Sequence, residues 1–161
     1  MRTTLSIVVA ALLVVASGSR AADQETENYV ASLSRVYDHT LWIRAVKEGC
    51  DSEDKKTAGA NSVAYNSWRR RNSALLDELE RRFLVLVHGA STDQKDYTKN
   101  VGKYMGEVVQ HREDIKRNFL GGPAEDVQRQ CKGFAEALRG DEGNLEKRYA
   151  EELKTIRKRK M

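Results

Sequence analysis

Few side chains in this sequence can do chemistry: two cysteines, Cys50 and Cys131, and three histidines, His39, His88 and His111. The cysteines stand 81 residues apart, which suits a cross-link better than catalysis. Redox exchange uses a Cys-x-x-Cys pair or an activated thiolate, and the sequence carries no Cys-x-x-Cys. A disulfide closing that separation stabilises a fold by about 4–5 kcal/mol on the chain-entropy account. Among the histidines, His111 has the strongest neighbours. Glu107, His111 and Asp114 stand at i, i+4 and i+7 and share one helix edge. An imidazole between two carboxylates could hold a metal or shuttle a proton. The plainer reading is a solvated flank, with the ring lying sideways on Tyr104 and Ile115. His39 has Arg35 one turn before it and Ile43 one turn after it, so no carboxylate orients it from its own helix. His88 ends a helical stretch, where the dipole favours a cation.

Other catalytic patterns are missing. Di-metal bundles use Glu-x-x-His from two helices, and covalent haem needs Cys-x-x-Cys-His; neither occurs. Haem held without a covalent link, by Met105 or a histidine pair, is the weakest of the His111-centred readings. No Gly-x-Ser-x-Gly elbow, phosphate-cradling glycine loop or His-Glu-x-x-His is present. Asp141-Glu142-Gly143-Asn144-x-Glu146 is acidic, but its spacing is not that of a calcium loop; it reads as a solvated kink. Trp68-Arg69-Arg70-Arg71-Asn72 is basic and aromatic. On a helix those five residues point around the full circle, so Trp68 faces a core while the arginines spread. No cofactor and no nucleic-acid partner is expected.

The elements that must carry these residues are helical. One proline in 161 residues, with 40% hydrophobic composition, excludes a turn-rich sandwich or barrel and fits one globular domain. Apolar residues recur at three- and four-residue steps in four stretches, roughly 26–48, 61–88, 92–120 and 123–157. Tyr29, Leu33, Val36, Tyr37 and Leu41 mark the first stripe, and Gly49 is read as its C-terminal cap. A polar loop over 51–59 follows, with Asn61 as the next N-cap. Ala64, Trp68, Leu75, Leu79 and Phe83 stripe the second helix. Ser91-x-x-Gln94 reads as a capping box for the third, which carries Tyr97, Val101, Tyr104, Val108, Ile115 and Phe119. Pro123 fits the first position of the fourth, striped by Val127, Cys131, Phe134, Leu138, Leu145, Tyr149, Leu153 and Ile156. Gly140 and Gly143 predict a kink or break there. Short linkers make antiparallel neighbours, so the expected fold is all-α, a single up-down four-helix bundle. In that topology the end of helix one meets the start of helix four, which brings Cys50 and Cys131 together.

A leader is expected ahead of the bundle. Met1 to Thr4 carries Arg2, Leu5 to Ala16 is apolar except for Ser6, and small residues lead to Ala21. That order is a secretory signal peptide over 1–21, cut after Ala21. The apolar run is too short for a spanning helix. The bundle domain is then 22–161, in the periplasm or outside the cell, where disulfides persist. The whole chain has 28 basic and 24 acidic residues. Five of the basic ones crowd the end: Lys154, Arg157, Lys158, Arg159 and Lys160.

Architecture and missing motifs favour a small exported bundle without a catalytic site. It would act by binding an unidentified protein partner, in the manner of an inhibitor, a toxin-neutralising protein or a chaperone. One alternative is weak binding of anionic lipid or glycan surfaces through the basic C-terminus. Another is a metal or haem binder centred on His111.

Overall fold

The computed structural model describes residues 20–160, and every regular element among them is helical. Seven α-helices run in order: α1 Arg20–Glu53, α2 Lys55–Arg71, α3 Ser73–Gly89, α4 Gln94–Leu120, α5 Ala124–Arg139, α6 Leu145–Arg148 and α7 Ala150–Lys158. A 3-10 turn, Asp141–Gly143, lies between α5 and α6. The expected leader falls outside the described residues, apart from Arg20 and Ala21 in the first turn of α1.

The stripes mark helices correctly, but several end signals do not mark ends. Gly49 does not cap α1, which continues to Glu53. A Cβ at Gly49 would stand 2.9 Å from Cδ1 of Phe119 and 3.4 Å from Cδ2 of Leu120. The glycine lets α4 approach α1 closely. The 51–59 loop is also absent: a single residue, Asp54, separates α1 from α2 and caps it by accepting from the Lys56 N–H at 3.0 Å. Asn61 sits inside α2, buried, and its amide donates to the Cys131 carbonyl at 3.2 Å. Its helix-breaking reputation is overridden by a tertiary partner.

The second stretch is two helices, divided at Asn72, whose backbone lies at φ −101° and ψ 9°. The Asn72 amide donates to the Trp68 carbonyl at 2.9 Å and to the Gly143 carbonyl at 3.3 Å. The capping box before α4 is shifted from its expected place. Asp93 accepts from the Asp96 N–H at 2.8 Å, and Asp96 accepts from the Thr92 N–H at 3.1 Å. Ser91 instead donates to the Val87 carbonyl. Pro123 is the N-cap of α5 rather than its first residue.

The fourth stretch breaks, as its glycines suggest. Its acidic segment is not simply solvated, because Gly143 is buried. A Cβ at Gly143 would lie 2.1 Å from the Leu138 carbonyl oxygen, which accepts from Arg71 at 2.5 Å. Asn144 then caps α6, accepting from the Lys147 N–H at 3.1 Å. Tyr149, at φ −116° and ψ 31°, separates α6 from α7.

Helix α1 is the hub, packing on α2, α4, α5 and α7. Its contacts with the end of the chain run in opposite order: Tyr29 meets Arg159, Arg35 meets Glu152 and His39 meets Tyr149. Its contacts with α4 run in the same order, from Asp38–His111 to Gly49–Phe119. Tyr37, Phe83 and Tyr104 stack across α1, α3 and α4, with ring centroids 4.6 and 5.6 Å apart. Leu33, Ile43, Trp68, Leu79, Leu145, Leu153 and Ile156 are fully enclosed. Each such aliphatic contributes about 1.5–3 kcal/mol through burial.

Candidate binding surface around Trp42

Most large apolar residues near the middle of α1 are inside. Leu41 is 8% exposed and Ile43 only 1%, yet Trp42 between them is 39% exposed. A 100° step per residue places Trp42 on the α1 flank left uncovered by its neighbours. The indole is not loose. It stacks on His39, one turn earlier, with centroids 5.6 Å apart and planes 13° from parallel. His39 in turn lies against Tyr149, with centroids 5.5 Å apart. Tyr149 reaches that position because the chain breaks between α6 and α7. The Arg148 guanidinium lies 5.8 Å from the Tyr149 ring centroid, within cation–π range.

Electrostatics reinforce the stack. Burial, and next the charge of Arg148, lower the His39 pKa from its ordinary 6.5 to about 4. The imidazole is therefore neutral near pH 7 and packs as an aromatic ring. Asp38 shares this side of α1, with its Oδ1 3.6 Å from Nε2 of His111 on α4. Burial raises the Asp38 carboxyl above its usual range, and the attraction of His111 only partly offsets this. Arg35, on the same flank, pairs with Glu152 of α7 at 2.9 Å. Rings of α1 and of Tyr149 thus lie beside charged residues of α1, α4, α6 and α7.

The sequence-derived candidates are distributed as follows. Cys50 and Cys131 are joined, with Cα atoms 5.2 Å apart, and both are buried. That bond ties the end of α1 to α5. The proposed Glu107–His111–Asp114 edge does not converge. Glu107 faces Lys103 at 3.7 Å, while Asp114 takes Gln110 at 3.0 Å and Arg117 at 3.2 Å. The carboxylate near His111 comes from α1. Among the described residues no three His, Cys, Asp or Glu side chains gather as a metal-ligand set. His88 packs edge-on against Tyr97. Trp68 is enclosed while Arg69, Arg70 and Arg71 are exposed, as their angular spread requires.

Much of the basic end is structurally engaged. Arg157 donates to Glu78 at 2.9 Å and to Glu146 at 2.7 Å. The buried Arg82 donates to Glu78 at 3.0 Å and to the Arg159 carbonyl at 3.0 Å. Burial pushes the Glu78 carboxyl up, but hydrogen bonds from Arg157 and Arg82 outweigh it and hold the group below its usual range.

Trp42, Asp38 and the surface role of Tyr149 were missed by sequence reasoning. The available signal was an aromatic at i+3 from a histidine, off the apolar stripe. No protein-family model matches the chain, and no curated protein or solved structure is significantly similar to it.

Proposed function

We propose that this chain is an exported, disulfide-linked, up-down-up-down bundle that binds a protein partner through the surface around Trp42. Four rods make the bundle: residues 20–53, 55–89, 94–120 and 124–158, the second and fourth interrupted. The opposed contact order of α1 with α7, and the buried Cys50–Cys131 bond between α1 and α5, support that topology. Export rests on the leader-like order of residues 1–21 together with the cross-link. No helix among the described residues is long and apolar enough to cross a membrane.

The observation that carries the function is the half-exposed, pre-stacked indole of Trp42, flanked by Tyr149, Arg148 and Arg35. Trp, Tyr and Arg dominate the energetic centres of protein interfaces. A ring already fixed by stacking gives up little conformational freedom on binding. Other exposed apolar side chains, such as Val63 on α2 and Val85 on α3, lack such aromatic support and are ordinary for a protein surface.

The test is capture from the exported fraction of producing cells by immobilised native, Trp42→Ala and Val63→Ala proteins. The Val63 variant should hold the same partner as the native protein. Trp42→Ala should weaken that capture at least tenfold while keeping its helical circular dichroism. Equal capture by the Trp42 variant contradicts the proposal.

A further inference from the structure

A groove of about 900 Å³ runs between the first turns of α1 and the last turn of α7, and Arg35 stands between it and the Trp42 stack. Arg35, Lys158 and Arg159 line it, and Glu25 is the single carboxylate lining it among the described residues. Thr26, Ser32 and Thr155 add hydroxyls. The tail cations divide into two sets. Arg157 and Lys154 have carboxylate partners, at 2.7 and 3.9 Å. Lys158, Arg159 and Lys160 have none among the described residues, and the first two line the groove. Arg159 is nonetheless positioned: its guanidinium lies 4.9 Å from the Tyr29 ring centroid, and its backbone carbonyl accepts from buried Arg82.

We infer that this groove is a binding site for a phosphate-bearing ligand. Guanidinium groups match phosphate oxygens with paired, charge-assisted hydrogen bonds, and an ammonium adds a point charge. The Thr26 and Ser32 hydroxyls supply further donors to the remaining oxygens, whereas the Thr155 hydroxyl already donates to the Glu151 carbonyl. Helix-end complementarity explains cations beside the last carbonyls of α7. It does not explain why Lys158 and Arg159 line a groove without described carboxylate partners, beside an Arg35 that Glu152 already holds at 2.9 Å. A groove holding a positioned Arg159 and a Lys158 unpaired among the described residues suits a discrete phosphate group, whether on a free molecule or on a lipid headgroup.

Two probes distinguish those sources: pyrophosphate, followed by calorimetry, and phosphatidylglycerol vesicles, followed by co-sedimentation. The purified, disulfide-linked protein is compared with Lys158→Gln/Arg159→Gln and with Lys132→Gln/Arg139→Gln, which removes equal charge from exposed positions on α5. Saturable one-to-one binding of pyrophosphate, weakened at least tenfold by the first pair and under twofold by the second, supports a site for free phosphate compounds. Binding to vesicles alone with the same variant pattern supports a headgroup site. No binding of either probe at millimolar phosphate overturns the inference, as does an equal loss in both variant pairs. If the first pair melts at lower temperature than the native protein, Lys158→Gln alone decides, because that side chain is exposed and unpaired with any described carboxylate. It should weaken binding at least threefold, and no change overturns the site. Trp42→Ala should leave phosphate binding intact, so the two proposals fail separately.

Discussion

At Gly143 a single hydrogen in place of a side chain decides whether the chain can turn tightly after α5. The Leu138 carbonyl oxygen would lie 2.1 Å from any Cβ there, and that oxygen is fixed by Arg71. Gly143→Ala should therefore destabilise the protein by roughly 2–4 kcal/mol, read from denaturant midpoints, because backbone rather than a flexible side chain must yield. His39 gives a second residue-level expectation. Its folded pKa of about 4 lies below the ordinary 6.5, so the unfolded chain binds the proton more readily between those values. Stability should fall as pH drops from about 6.5 to about 4 and gain no further loss from this group below that. Melting temperatures of native and His39→Gln proteins across that range check it, with a flatter profile in the variant. Such roles were only partly legible in the sequence. Gly143 read as a breaker, which it is, but the bond its carbonyl accepts from Asn72 is tertiary. Gly49 and Asn61 were misread because residue types favoured at helix ends are also used inside helices. There a neighbouring ring needs room or a buried carbonyl needs a donor.

The elements were more legible than their ends. Apolar stripes mark every long helix because burial on one side imposes a 3.6-residue period whatever the caps do. Ends depend on partners elsewhere in the chain: the Asn72 break is satisfied by Gly143, 71 residues away. The α3–α7 contact is held by a charged node in which Glu78 receives Arg82 from its own helix and Arg157 from the tail. Glu78→Gln should cost roughly 1–3 kcal/mol, since it leaves a buried guanidinium without its counter-charge. The native contribution is present above the unfolded carboxyl pKa and is lost as pH falls through the lowered folded value. Urea midpoints of native and Glu78→Gln proteins should therefore converge on acidification. A constant difference down to pH 2 would show that the node acts by packing alone.

Across the whole molecule, the cross-link joins segments 81 residues apart, and its loss should be felt globally. Cys50→Ala/Cys131→Ala should lower unfolding free energy by about 4–5 kcal/mol on the chain-entropy account. Thiol titration of the denatured, unreduced protein should find no free thiol. This long-range pairing was legible because the expected helix order and the cysteine placement agreed. The Trp42 surface was not, since it exists only where α1 meets α4 and the break between α6 and α7. The binding role proposed for it is tested most directly by site-specific photocrosslinking in producing cells. A photoreactive residue replaces exposed Arg148, beside the intact Trp42 stack, in one variant and Val63 in another. The account predicts one adduct of discrete mass from position 148, lost when Trp42→Ala is added, and none from position 63. No adduct at 148, or equal yields from both positions, would contradict it.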